Sequence, residues 1–317
     1  MNLCITGALG HIGSHLIRNL RIPDLQTVHL VDNIATQRYP SLFGLPDNIE
    51  FVFHEIDIRS DRMQSIVEDS DALVHLAALT DAETSFDRAS EVEETNVRGI
   101  EKVAALCAEH GCALLFPSTT SVYGSQSALV DEDCPESDLR PQSPYATSKL
   151  AGERLLGELG SSSGLRYTIF RIGTIFGYSV GMRFHTAVNK FIWQAATDQE
   201  ITVWRTAMSQ KRPYCGLRDA CNAMNFFIRN SIFNNRIYNI VTANLTVGEL
   251  VEVIRERVPG LTIAFVDSPI MNQLSYEASN ARSLARGVTY QDDLGSRVIE
   301  VLRHLQNVHA GVSTTGV

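Results

Sequence analysis

The stretch Asn2-Leu-Cys-Ile-Thr6-Gly7-Ala-Leu-Gly10-His11-Ile12-Gly13-Ser-His-Leu-Ile-Arg-Asn-Leu20 decides the fold. Residues 2 to 6 read as a short buried strand. Glycines then recur at intervals of three, and Ile12, Leu16, Ile17 and Leu20 fall at helical spacing. The order is strand, glycine turn, helix. Glycine at such a turn lets the backbone fold tightly and approach a ligand closely. The helix N-terminus behind it offers free N–H groups and the positive end of a dipole to a pyrophosphate. The spacing G-x-x-G-x-x-G differs from the G-x-G-x-x-G of many dehydrogenases, so the turn gains its meaning from the strands and helices around it.

Thr27 to Val31 reads as the next strand and ends in Asp32, about 20 residues past Gly13. An acid there suits the ribose hydroxyls of NAD and repels the 2′-phosphate of NADP. Strand-like runs recur at 49–54, 72–77, 113–116 and 166–171, separated by helical patterns at 61–68, 83–109 and from 143 onward. The run 72–77 is nearly all apolar, as a parallel strand covered on both faces must be. This alternation implies an α/β fold with a doubly wound parallel (Rossmann) sheet. Ligands bind such sheets at the carboxyl ends of the strands. Gly7, Asp32, Ala77, Thr119 and Arg171 all fall there.

After Gly177 the alternation stops. Helices are expected at 182–196, 220–227 and 294–305, and strands at 201–204, 236–241 and 262–266. Thr246 and Glu249 are spaced as a capping box opening a helix to Val258. The expected organisation is an NAD-binding domain over 1–176, rejoined by about 213–242. A smaller C-terminal α/β lobe for the substrate takes 177–212 and 243–308, and 309–317 forms a loose tail.

A second stretch carries chemistry: Ser143-Pro-Tyr145-Ala-Thr-Ser-Lys149-Leu-Ala-Gly152. Pro144 sits where helices commonly start. Tyr145 and Lys149 then share one helical face. An ammonium beside a phenol favours the phenolate and lowers its pKa from about 10. Such a tyrosine can take a proton from an alcohol.

Composition narrows the partners. The net charge of -9 argues against a nucleic-acid binder, whose signature is a basic patch. No apolar run nears the roughly 18 residues of a membrane span, and no signal-peptide pattern precedes Asn2. The cysteines, Cys4, Cys107, Cys112, Cys134, Cys215 and Cys221, form no C-x-x-C pair. Metal-ligand spacing is therefore absent and no metal is expected. Several lie in apolar runs, where cysteine packs as a small hydrophobe. The expectation is a reduced, cytoplasmic protein.

Taken together, Thr6-Gly-Ala-Leu-Gly-His-Ile-Gly13, Asp32-Asn33, Asp57-Ile58, His75-Leu-Ala-Ala78, Asn96, Ser118-Thr-Thr-Ser-Val-Tyr-Gly124 and Pro144-Tyr-Ala-Thr-Ser-Lys149 resemble the NAD-dependent epimerase/dehydratase family. These are extended short-chain dehydrogenases acting on nucleotide sugars. The resemblance runs from Leu3 to about Leu305. It implies NAD as cofactor and a nucleotide-diphosphate sugar as substrate. Gly7, Gly10, His11, Ile12 and Gly13 would cradle the pyrophosphate. Asp32 and Asn33 would hold the ribose, and Asp57 and Ile58 the adenine. Leu76, Ala77, Ala78 and Asn96 would lie along the cofactor. Tyr145 would be the general base, Lys149 its partner and a ribose contact, and Thr119 the hydroxyl that orients the sugar. Thr120, Thr174, Arg183, Asn189 and Arg212 would face the substrate, with His185 beside Arg183.

Departures from the family pattern shape the expected reaction. Where dehydrating relatives carry an Asp-Glu pair, or decarboxylating relatives a Glu, this chain has Thr120 and Ser121. Gly173-Thr174 replaces an aromatic-Asn pair. Asn272-Gln-Leu-Ser-Tyr276 stands where many relatives have a second diphosphate arginine. The leading expectation is a nucleotide-sugar 4-epimerase. A 4-dehydrogenase or 4,6-dehydratase is the alternative, and a non-catalytic NAD-binding regulator the second. The resemblance also implies a homodimer joined through helices near 83–109 and 143–160.

Overall fold

The computed structural model describes residues 1–82, 84–124, 128–266, 275–306 and 308. A 7-stranded sheet runs through it in the order Arg236–Ile240, Tyr167–Ile172, Ala113–Thr119, Ala72–His75, Leu3–Thr6, Thr27–Asp32, Glu50–Glu55. Every pairing in it is parallel. Chain order reverses beside Leu3–Thr6, which places the ligand crevice above that strand's end. The doubly wound parallel sheet implied by the sequence is present.

Period-2 alternation puts one core on each sheet face. On one face Leu3, Ile5, Val28, Leu30 and Phe170 pack with Met224 and Phe227 of the helix Leu217–Arg229. On the other, Cys4, Val31, Leu114 and Phe116 pack with Ile100 and Val103 of Arg98–His110 and Leu156 of Pro144–Ser162. A separate core of Phe176, Val188, Ile192, Leu250 and Val298 fills the C-terminal side. Small sheets frame it: Thr174–Phe176 with Lys211–Gly216 and Ala243–Thr246, and Ile201–Trp204 with Ile263–Val266.

Local signals account for the helices. Ser143 caps Pro144–Ser162, its hydroxyl accepting from Ala146 N at 3.2 Å, with proline in the first turn. The Thr246–Glu249 capping box is formed and opens Val247–Arg255. Two helices depart from expectation. The run 83–109 is broken: Ala89–Val92 passes into a π-helical turn, Glu93–Val97, before Arg98–His110. The extra residue turns Asn96 inward, a local feature that periodicity does not show. The helix expected from Met182 starts at Ala187, because the chain before it crosses the glycine turn, where Gly181 N bonds Ser14 Oγ. The tail 309–317 lies outside the described residues.

Candidate active site

The glycine turn is shaped by its missing side chains. Gly7 has φ of 65°, and a Cβ there would lie 2.6 Å from Ala77 N. A Cβ on Gly13 would lie 2.5 Å from the Ala8 carbonyl oxygen. The turn thus closes onto the neighbouring strand end. That end is tied down by Leu76 N donating to Thr6 O at 3.0 Å and Ala77 N to Thr6 Oγ1 at 3.3 Å. No side chain caps the helix His11–Leu16 at Gly10, so its first N–H groups are left for an anion.

Asp32 stands beside this turn. Its Oδ2 accepts from Leu9 N at 3.1 Å and its Oδ1 from Ile34 N at 2.9 Å. These bonds fix the carboxylate and leave lone pairs for ribose hydroxyls. Arg38 lies within electrostatic reach of Asp32, and its Nη1 is 3.7 Å from where a Gly10 Cβ would stand. A bare, donor-rich turn next to a fixed acid is what a dinucleotide requires.

The other expected cofactor residues divide. Asp57 is held by Arg59 through Nε at 2.8 Å and Nη2 at 2.9 Å, which keeps its carboxyl below the usual range. Asn33 accepts from Ala35 N at 3.1 Å. Ile58 is buried against Gly99. Asn96 accepts from Leu79 N at 2.8 Å and donates to Leu79 O and Ser148 Oγ, each at 3.0 Å. It acts as a strut between the Ala77–Leu79 loop and the Tyr145 helix.

Tyr145 and Lys149 lie one turn apart on the helix Pro144–Ser162, and the lysine's described contacts come from the neighbouring strand. Its Nζ donates to Pro117 O at 2.8 Å and lies 4.7 Å over the Phe116 ring. Burial lowers Lys149 to about 8, with Glu153 pulling upward. Burial raises Tyr145 to about 12, and the charge that opposes this is Arg183, not Lys149. Sequence spacing aligned the two Cβ atoms, but it could not say where a four-carbon stem would point. Thr119 ends the neighbouring strand, and its Oγ1 accepts from Ser121 N at 3.1 Å.

Across the cleft, Gly177 to His185 forms a strap over the glycine turn. His11 Nε2 donates to Gly177 O at 2.8 Å, and Gly181 N donates to Ser14 Oγ at 3.0 Å. A Cβ on Gly181 would lie 2.3 Å from Leu9 O. Arg183 Nη2 then reaches back to Thr80 Oγ1 at 2.6 Å. Burial pushes His11 and His185 down to about 4, and Arg183 adds to the effect on His185. Asn189 is buried, its Oδ1 accepting from Gly177 N at 3.3 Å. Asn189 Nδ2, His185 Nδ1 and Ser179 Oγ have no partner among the described residues.

The remaining wall joins strand ends. Tyr276 donates its hydroxyl to Thr120 O at 2.9 Å, and Arg212 lies 5.5 Å over its ring. Thr174 pairs with Tyr214 in the small sheet. Of the stretch expected to replace the second diphosphate arginine, Asn272 to Leu274 lie outside the described residues.

The model of the family described as NAD dependent epimerase/dehydratase matches residues 3–241. The chain belongs to that family. An uncharacterized UDP-glucose epimerase of Bacillus subtilis is 29% identical over 203 residues, 61% of this chain and 63% of that protein. A dTDP-glucose 4,6-dehydratase of Streptomyces griseus is 33% identical over 185 residues, 56% of this chain and 55% of that protein. The matches thus span less than two thirds of these relatives. The crystal structure of a UDP-glucuronic acid 4-epimerase from Bacillus cereus, with UDP-glucuronic acid and NAD, covers 96% of this chain and 99% of its own. Its TM-score is 0.85 at 22% identity, a likeness of fold.

The family is NAD-dependent, and the turn beside Asp32 fits that cofactor. Among the described residues no cluster of His, Cys, Asp or Glu could hold a metal ion, and no helix is long and apolar enough to cross a membrane. Sequence reasoning missed Arg38, Glu153 and Tyr276. Glu153 was findable, because it continues the Tyr145–Lys149 line by one more turn. Arg38 and Tyr276 come from irregular segments, where no periodicity marks a side chain's direction.

Proposed function

We propose that this enzyme is a nucleotide-sugar 4-epimerase, a reading carried by Thr120 and Ser121. Dehydration across C5 and C6 needs an additional acid and base beside the sugar. The positions after Thr119 carry only hydroxyls, and Thr120 spends its own near Ile172 O, 3.5 Å away. What remains is proton transfer at one sugar hydroxyl. Bound NAD supplies the hydride acceptor and, on return, the donor.

Tyr145 takes the proton of the C4 hydroxyl and gives it back after the keto sugar has presented its other face. A phenol held up near 12 is loaded for the return, and Arg183 assists its deprotonation. Thr119 accepts from Ser121 N, which leaves its O–H to donate to a substrate oxygen. Arg212, on the far wall, serves the diphosphate. Residues 177–212 and 243–308 form the side that selects the sugar, and residues 1–176 with 213–242 the cofactor side.

The test incubates the protein with UDP- and dTDP-hexoses and NAD, and tracks products by mass spectrometry and NMR. An epimer without NADH accumulation supports the reading. NADH accumulating with substrate would make the enzyme a 4-dehydrogenase, and loss of water a 4,6-dehydratase. We further propose a cytoplasmic homodimer joined through Arg98–His110 and Pro144–Ser162, where Leu106, Leu155 and Leu159 stay only partly buried. A monomer by light scattering at micromolar concentration would refute the assembly.

A further inference from the structure

Glu153 lies one helical turn beyond Lys149, in line with Tyr145. It is a carboxylate with 6% exposure, which is costly unless paired and hydrogen-bonded. Both oxygens are engaged. Arg171 donates through Nε at 3.1 and 3.2 Å and through Nη2 at 2.7 Å, and the Ser118 hydroxyl donates to Oε1. Arg171 comes from the strand Tyr167–Ile172, and its guanidinium stacks 4.8 Å over Tyr123. Ser118 sits in the chain between Pro117, whose carbonyl receives Lys149, and Thr119. One carboxylate therefore ties the helix bearing Tyr145 and Lys149 to the strand bearing Thr119.

Lys149 needs a counter-charge. Its ammonium is buried, and the contacts described for it are a carbonyl and an aromatic face. Neither replaces water for an ion in a low-dielectric interior. The charged and titratable groups around it are Glu153, Arg171 behind Glu153, and His75 on the sheet side, which burial and Lys149 keep neutral. Glu153 is the negative one.

We propose that Glu153 is a positioning residue for the Tyr145–Lys149 pair: held by Arg171 and Ser118, it keeps the Lys149 ammonium charged near neutral pH and fixes the helix against the Thr119 strand. The proposal rests on the catalytic reading of Tyr145 and Lys149. Arg171 balances part of the carboxylate's charge, so the two halves of the ion pair act on Lys149 with opposite sign.

The experiment titrates lysine labelled with ¹³C at Cε in the protein alone, with the Lys149 signal assigned by its loss in Lys149→Met. Arg171→Met leaves the carboxylate unbalanced and raises the Lys149 pKa. The double variant Glu153→Gln with Arg171→Met removes both charges and lowers it. Each shift should be on the order of one pH unit. Glu153→Asp keeps the charge and stays near wild type. The pH–rate profile with a nucleotide sugar should move in parallel. Unchanged titration, or movement of both variants in one direction, overturns the proposal. Where Arg171→Met does not fold, the double variant against Glu153→Asp decides, and no lowering overturns it. Because the titration needs no turnover, it separates the two readings. Wild-type turnover in Tyr145→Phe together with the expected lysine shifts would sink the catalytic reading and leave the role of Glu153 in holding the charge.

Discussion

On the glycine side of the cleft, ligand groups are presented by main chain. Gly7 and Gly13 clear space, Thr6 pins Leu76 and Ala77, and Asp32 is fixed by backbone amides of Leu9 and Ile34. On the strap side, the same cleft is reached by long side chains, with Arg183 on Thr80 and Arg212 over Tyr276. Main-chain groups have one arrangement once the turn is folded, so the glycine side is ready-made. Arginines have rotamers to spare, so the strap side can be refitted without altering the fold. That difference fits a family in which one cofactor serves several reactions.

Between the two sides stands Tyr145, and its loss should be the largest effect. Tyr145→Phe removes the proton acceptor and should lower turnover by about 10²- to 10⁴-fold, with NAD binding measured by fluorescence nearly unchanged. Turnover equal to wild type would show that the helix is only a scaffold. Next comes the glycine side. Gly13→Ala forces a Cβ against the carbonyls of Ala8 and Gly7 and should cost about 1–3 kcal/mol in a denaturant melt, together with NAD affinity. If stability and affinity are both retained, the turn is less rigid than its contacts imply.

The same contrast explains what was legible in the sequence. The order of strands and the tight turn at Gly7 and Gly13 are legible because glycine and β-branched residues constrain backbone, and backbone sets the cleft. The resemblance implies Asn96 along the cofactor; its bonds to Leu79 and Ser148, made from within a π-helical turn, are tertiary detail that periodicity does not reveal. For Lys149 the helix face follows from spacing, whereas the position of its ammonium is chosen by the Pro117 carbonyl and the Phe116 ring. Both come from a distant strand. Tyr276 lies in a stretch with no regular pattern, and only tertiary contact brings it to Thr120.

Asp32→Ala sharpens the comparison at one residue. The carboxylate offers charged hydrogen bonds worth about 1.5–3 kcal/mol to ribose hydroxyls, and without it Arg38 remains nearby with its positive charge. NAD should weaken roughly 10- to 100-fold on that scale, while NADP weakens less or gains. Titration of both nucleotides checks this, and an unchanged NAD-to-NADP ratio would remove Asp32 from the ribose site.

The smallest effect probes the latch between the sides. His11 and His185 are lowered to about 4 by burial, from an ordinary 6.5. A depressed folded-state pKa means that the folded chain resists protonation while the unfolded chain accepts it. Their neutral forms are therefore fully consistent with the fold above about pH 6.5, and stability is lost as pH falls from there toward about 4. The charges that would then appear lie near Arg38 and Arg183, which repel them. Both residues keep some solvent exposure, so the loss should be on the order of 1 kcal/mol after solvent screening. It should also be local, because the His11 contact to Gly177 holds the strap and not the sheet. Hydrogen exchange compared at pH 7 and pH 5, corrected for intrinsic rates, should show Gly177 to Gly181 loosening while Leu3–Thr6 stays protected. His11→Gln, which keeps a donor for Gly177 O without titrating, should remove part of that pH dependence. Equal loosening of strap and sheet would mean that acid acts on the fold as a whole, and the latch would carry no separate weight.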